Sequence, residues 1–161
     1  MKFLLFNILF AALFHNTLSI GMNQSLLIQK YGFDINSVVI DLSERSIDTI
    51  DINTFKGYTK LEKLYLEENK IKQLENGLLN HLENLKEIWL EANIIVSIDR
   101  NVFVGLNKLE KVCLKDNPIS LMFPNNIKPL CETNPICTIK INEKCNKDIT
   151  SKTKLNYLFS N

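Results

Sequence analysis

From residue 37 onward the apolar positions return at a fixed interval. Set in rows of 24 starting at Ser37, Leu61, Leu85 and Leu109, position four reads Ile40, Leu64, Ile88, Val112 and position six reads Leu42, Leu66, Leu90, Leu114. Position eleven is Ile47, Ile71, Ile95, Ile119, and position fourteen is Ile50, Leu74, Ile98, Met122. Position nineteen is Phe55, Leu79, Phe103, Ile127, and position twenty-two is Tyr58, Leu82, Leu106, Leu130. Self-similarity of this kind marks a solenoid, in which each unit buries its apolar face only against its neighbours. The alternation around positions four to six predicts a short strand per unit, with four and six inward and three, five, seven and eight on the opposite face.

The segments LEKLYLEENKIKQL, LKEIWLEANIIVSI and LEKVCLKDNPISLM resemble leucine-rich repeats of the 24-residue extracellular type. The resemblance implies an α/β solenoid with a short curved parallel sheet on its concave face, turns and irregular or short helical segments on its convex face, and a disulfide-bearing C-terminal cap. It divides the chain into an N-terminal cap (21–36), four repeats (37–60, 61–84, 85–108 and 109–130) and a cysteine-containing cap and tail (131–161). The family's asparagine ladder falls on Asn69, Asn93 and Asn117, where a buried amide satisfies backbone groups of adjacent turns. Arg45 departs from it, so the first repeat is expected to be imperfect and partly exposed. The N-terminal segment has no cysteine but offers Leu26, Leu27, Ile28, Tyr31 and Phe33, which predicts a small packed cap or an extra edge strand. The C-x-C pair that usually follows Asn-Pro in the family's C-terminal cap is missing after Asn117-Pro118.

Residues 1–20 follow a different pattern. Lys2, an apolar run from Phe3 to Phe14 broken by Asn7, and small residues at Thr17, Ser19 and Gly21 read as a secretory signal peptide cleaved after Ser19 or Gly21. The mature chain is then expected to be secreted, extracellular and without stable membrane insertion. In that setting Cys113, Cys131, Cys137 and Cys145 read as two disulfides with three connectivities open. A link from Cys113 to the tail would clamp the tail over the last strand. A zinc site is disfavoured by the absence of a close C-x2-C pair, and no cofactor is expected. Asn23-Gln24-Ser25 is a glycosylation sequon.

Charge adds a second layer. With 19 basic and 18 acidic residues, the chain lacks the basic excess of a nucleic-acid binder. Its concave positions, however, hold Asp41, Glu44, Glu67, Glu68, Glu87, Glu91 and Asp116 against Lys63, Lys111 and Lys115. Tyr65 and Trp89, both at position five, are expected side by side and facing solvent, as anchors for a protein ligand with a basic or amphipathic segment. The plainer alternative is that they stack across strands and shield the sheet. Beyond Cys131 the sign reverses, with Lys140, Lys144, Lys147, Lys152 and Lys154 against Glu132, Glu143 and Asp148, so weak self-association is a further expectation. Thr138 to Asn142 alternates like a strand, and Leu155, Tyr157, Leu158 and Phe159 either dock on the solenoid or form a tail. His81, the one histidine of the mature chain, has no catalytic partner in the pattern, and no enzyme is expected. Two classes of function remain. One is a secreted binding protein that recognises a ligand through its concave sheet, in innate immunity or as a receptor co-factor. The other is a structural or assembly module of the extracellular matrix or of a hetero-complex, and a shortened receptor ectodomain is a third possibility.

Overall fold

A computed structural model of the chain describes residues 20–99, 101–122, 138–140 and 145. In chain order the elements are β1 (Ile20–Met22), α1 (Gln24–Gln29), β2 (Val39–Asp41), β3 (Ile47–Ile50), β4 (Lys63–Tyr65), β5 (Gln73–Leu74), β6 (Glu87–Trp89), β7 (Ser97–Ile98), β8 (Lys111–Cys113), α2 (Pro118–Met122) and β9 (Thr138–Lys140). The main sheet is parallel, in the order β2-β4-β6-β8-β9. Its register follows the sequence period, with Ile40 opposite Leu64, Leu64 opposite Ile88 and Ile88 opposite Val112. Positions four and six are fully buried in all four repeats, from Ile40 and Leu42 to Val112 and Leu114. One continuous core runs from Met22 to Ile119. Among the described residues no helix is long and apolar enough to cross a membrane.

Each strand ends in the same tight turn. Glu44, Glu68, Ala92 and Asp116, all at position eight, have φ between 51 and 59°. A left-handed residue there costs an L-amino acid about 1 kcal/mol or more, and it swings the next side chain inward. That side chain is the asparagine. The Asn69 amide oxygen accepts from the N–H groups of Arg45 (3.1 Å) and Ile47 (3.0 Å), while its Nδ2 donates to the carbonyls of Leu42 and Leu66, both at 2.9 Å. Asn93 bonds Ile71 and Leu66 in the same way, and Asn117 bonds Ile95 and Leu90. Each amide thus ties a turn to the one before it. At the equivalent position of the first repeat Arg45 is exposed, with its guanidinium 5.3 Å from the Tyr31 ring of the N-terminal cap.

The flank of the solenoid carries a longer rhythm. At position twenty-four, Lys60 Nζ donates to Asn36 Oδ1 (2.9 Å), Asn84 Nδ2 donates to the Thr59 carbonyl (2.7 Å), and Lys108 Nζ donates to Asn84 Oδ1 (2.6 Å).

The N-terminal segment forms both a strand and a packed cap. β1 pairs in parallel with β3, Met22 and Leu27 are buried, and Thr54 Oγ1 donates to the Met22 carbonyl. Asn23 N-caps α1 by accepting from Leu26 N–H at 2.9 Å, and Tyr58 O–H donates to the Phe33 carbonyl. Ile28, expected in the cap, is instead exposed. At the other end Thr138–Lys140 joins the main sheet as a fifth strand, with Ile139 opposite Val112. The sequence holds a signal for this that the repeat count passed over. Ile136-x-x-Ile139-x-Ile141 repeats the apolar stem of positions one, four and six, displaced by three residues from the 24-residue frame.

Candidate functional site

Position five builds a strip across the concave face from Asp41, Tyr65, Trp89 and Cys113, because consecutive strands place these residues opposite one another. Tyr65 and Trp89 stand side by side, with ring centroids 5.6 Å apart and planes tilted by 56°. The expectation that they face solvent is overturned: Tyr65 is 4% exposed and Trp89 1%. Cys145 is bonded to Cys113 and is buried in one cluster with both rings, with Val39 packed against it. The Cys145 N–H also donates to Glu91 Oε1 at 3.2 Å. Position five pointed the aromatic rings to the concave side, and there Cys145 packs against them. Of the three partners that the sequence leaves open for Cys113, Cys145 is the one it bonds. Cys131 and Cys137 lie outside the described residues, as do residues 1–19 with the signal-peptide reading and 146–161 with Lys147, Lys152, Lys154 and the apolar tail. Lys144 is outside them too.

The carboxylates divide into two groups. Glu87 is enclosed by Lys63 at 3.0 Å and Lys111 at 3.5 Å, and it accepts from Trp89 Nε1 at 3.0 Å. Burial alone pushes its carboxyl up, but the hydrogen bonds from Lys63 and Trp89 and the charges of Lys111 and Lys63 outweigh it and hold the pKa below the ordinary value. Lys111 also lies 5.2 Å from the Trp89 ring. Glu87 therefore belongs to an internal ion ladder that orients Trp89 and neutralises its own charge. Glu67 is buried as well. Asp41 accepts from the Ser43 N–H at 3.0 Å and from the Ser43 hydroxyl, so it blunts the sheet edge at β2.

What remains open is a rim. Glu44 and Glu68 are exposed at their left-handed turns, Asp41 and Glu91 are half-buried beside them, and Asp116 is exposed next to Lys115. Successive rim residues are tied by backbone hydrogen bonds, Glu44 N–H to the Glu67 carbonyl and Glu68 N–H to that of Glu91. The rim is thus a fixed row of carboxylates on a rigid sheet. His81 is exposed, and no group of three or more metal-ligating side chains occurs among the described residues. Asn23 is exposed, and its oxygen alone makes the helix cap, which leaves Nδ2 open to modification.

Among solved structures the chain is similar to a chain of the TLR13-ssRNA13 complex, with 30% identity over 68% of this chain and 15% of that one and a TM-score of 0.57. It is similar to a chain of the glycosylated Drosophila Toll-Spatzle complex, at 20% identity over 76% of this chain and 17% of that one, with a TM-score of 0.60. It is also similar to a chain of the Drosophila melanogaster SNF/U2A' complex, at 21% identity over 88% and 82% and a TM-score of 0.57. The last two share the fold. The chain spans less than a fifth of the length of the first two. No curated protein matches it. The leucine rich repeat family model matches residues 38–95 and 59–119, half of the chain between them, on the units whose strands and asparagines form the ladder above, and the protein belongs to the leucine rich repeat family.

Proposed function

We propose that this protein is a secreted recognition module that binds a protein partner through the open rim of its concave face, with Asp41, Glu44, Glu68 and Glu91 as the contacting carboxylates. The observation that carries this reading is the fixed row of acidic side chains beside a covered aromatic centre. A partner meeting this face meets charge before apolar surface. The complementary ligand is a basic segment, steered by the field of the rim and held by hydrogen bonds at its edge. Tyr65, Trp89, Glu67 and Glu87, all buried or enclosed, then serve the face as foundation. The similar chains come from complexes that include ssRNA, Spatzle and SNF. For this chain the acidic rim and the near balance of 19 basic and 18 acidic residues favour a protein over a nucleic acid. Secretion rests on the leader pattern of residues 1–20, and a glycan on Asn23 is compatible with the helix cap. A binding role is preferred to catalysis because His81 has no catalytic partner in the sequence pattern.

A free Cys113 thiol, or one paired between chains, would have favoured the assembly alternative. The intramolecular bond of Cys113 to Cys145 removes that support. The test is affinity capture of partners from the medium of cells that secrete the protein, comparing wild type with Glu44→Lys/Glu68→Lys. The expected result is a partner that binds wild type, weakens as salt rises, and is lost with the reversed charges. Equal capture by both proteins would refute the rim reading.

A further inference from the structure

We infer that Asn76 is a self-modifying site, whose side-chain amide is attacked by the backbone nitrogen of Gly77 and converts, through a cyclic imide, to aspartate and isoaspartate. The site lies in the second repeat, outside the main sheet, and does not depend on the reading of the concave rim.

The sequence contains one Asn-Gly pair, Asn76-Gly77. The 24-residue period puts it at positions sixteen and seventeen, so the same corner can be compared in three repeats. In the first repeat the N–H at position seventeen, that of Asn53, donates to the Asp51 carboxylate at 2.8 Å, and in the third that of Asn101 donates to Asp99 at 2.7 Å. An aspartate two residues back closes an Asx turn and occupies that N–H. The second repeat has Glu75 in the aspartate's place. Its longer side chain accepts from Gln73 Nε2 instead, and no acceptor among the described residues meets the Gly77 N–H. Gly77 also has no Cβ to hinder the approach of Asn76 Cγ, and its φ of 92° favours glycine there. Asn76 is exposed to the water that the reaction consumes. The corner is held by two long backbone bonds, Leu78 N–H to the Glu75 carbonyl and Asn80 N–H to the Gly77 carbonyl, both at 3.2 Å. Turning the Asn76–Gly77 peptide so that its nitrogen reaches Cγ has little else to release.

The Gly77 nitrogen gives its proton to hydroxide and bonds to Asn76 Cγ, while the Cγ–Nδ2 bond breaks and Nδ2 leaves as ammonia. Water then opens the ring. Cleavage of the new Cγ–N bond leaves aspartate, and cleavage of the original peptide C–N bond leaves isoaspartate, whose backbone runs through Cβ and Cγ. Either product sets a carboxylate beside Glu75, and isoaspartate also lengthens the turn that leads into the buried Leu78 and Leu79.

The test holds the folded protein at mildly alkaline pH and follows the tryptic peptide of residues 73–86 by mass spectrometry over days. Asn80 and Asn84 lie in the same peptide and serve as internal references. The expected result is that Asn76 gains the mass difference between amide and acid ahead of both, with isoaspartate and aspartate products resolved by elution. Glu75→Asp restores the arrangement of Asp51 and Asp99 and slows the conversion about tenfold, the worth of one hydrogen bond to a charged acceptor. In urea, where no turn exists, wild type and variant convert at the same rate. A second variant, Ile52→Asn/Asn53→Gly, puts the same pair beside Asp51, and the new asparagine converts about tenfold more slowly than Asn76 of the same molecule. Far-UV circular dichroism confirms that each variant is folded, and either folded variant suffices for the comparison. An unconverted Asn76, conversion of Asn80 or Asn84 ahead of it, equal rates with and without the aspartate in the folded chain, or the same slowing in urea overturns the inference.

Discussion

The two ends of the solenoid close it in opposite ways. A repeat has a concave half, its strand in the main sheet, and a convex half of turns and short bridges. The N-terminal segment copies the convex half: β1 pairs with β3, and β2 is left as the edge of the main sheet. The C-terminal segment copies the concave half: β9 extends the main sheet, and Cys145 then returns across its face. The first closure is non-covalent, made by Met22, Leu27, Thr54 and the Tyr58 hydroxyl. The second, among the described residues, adds a covalent bond to the three-residue strand Thr138–Lys140. Among the described residues, the end that offers its own buried side chains has no staple, and the end described as a short strand and one cysteine has one.

The sharpest way to break this comparison is to remove the staple. Cys113→Ser/Cys145→Ser is expected to lower the unfolding free energy by about 3–4 kcal/mol, the loop-closure value for a link of this length. Urea unfolding with and without reductant checks it, and reductant should leave the variant's curve unmoved if this bond is the only one that matters to stability. Leu27→Ala, at the cysteine-free end, should cost about 3 kcal/mol through the cavity it leaves, in oxidised and reduced protein alike. An equal loss from both ends in one cooperative transition would show that the caps protect a single folding unit.

A smaller effect tests the ion ladder between the ends. The Glu87 carboxyl lies below its ordinary pKa in the folded chain, so the unfolded chain takes up its proton first as the solution is acidified. Its contribution is fully present above the unfolded value of about 4.3 and is lost as pH falls through the lower folded value. Glu87→Gln should flatten that part of the acid limb by less than about 1 kcal/mol, and urea midpoints collected from pH 6 to 3 measure it. The smallest expected change is a gain. Ala92 is the one left-handed position-eight residue without a polar side chain, and Ala92→Gly should stabilise by about 0.5–1 kcal/mol. A loss of stability there would mean that the methyl group packs usefully.

The repeats were legible because their chemistry recurs. Ile40, Leu64, Ile88 and Val112 share one column, and Asn69, Asn93 and Asn117 share another, so a fixed period exposes them. The covered state of Tyr65 and Trp89 was not legible. Position five says which face a side chain takes, but nothing in that column says that a cysteine 56 residues after Trp89 comes to rest on it. β9 was half-legible: the alternation of Thr138 to Asn142 marked a strand, but its partner is fixed by the displaced stem Ile136, Ile139, Ile141, which an exact 24-residue frame misses. In the sequence Glu87 falls among the concave acids, because composition counts charges and not their neighbours. Only the register of β4, β6 and β8 reveals that Lys63 and Lys111 flank it.

The alternation of Asn36, Lys60, Asn84 and Lys108 along the flank has a consequence for parity. The apolar columns repeat with every unit, but this row repeats with every second one, since each lysine ammonium is received by the asparagine of the turn before it. Duplicating a single 24-residue unit would therefore set two lysines or two asparagines side by side, while duplicating an adjoining pair would continue the row unbroken. The unit of stacking is one repeat, and the unit by which this solenoid can lengthen without a surface mismatch is two.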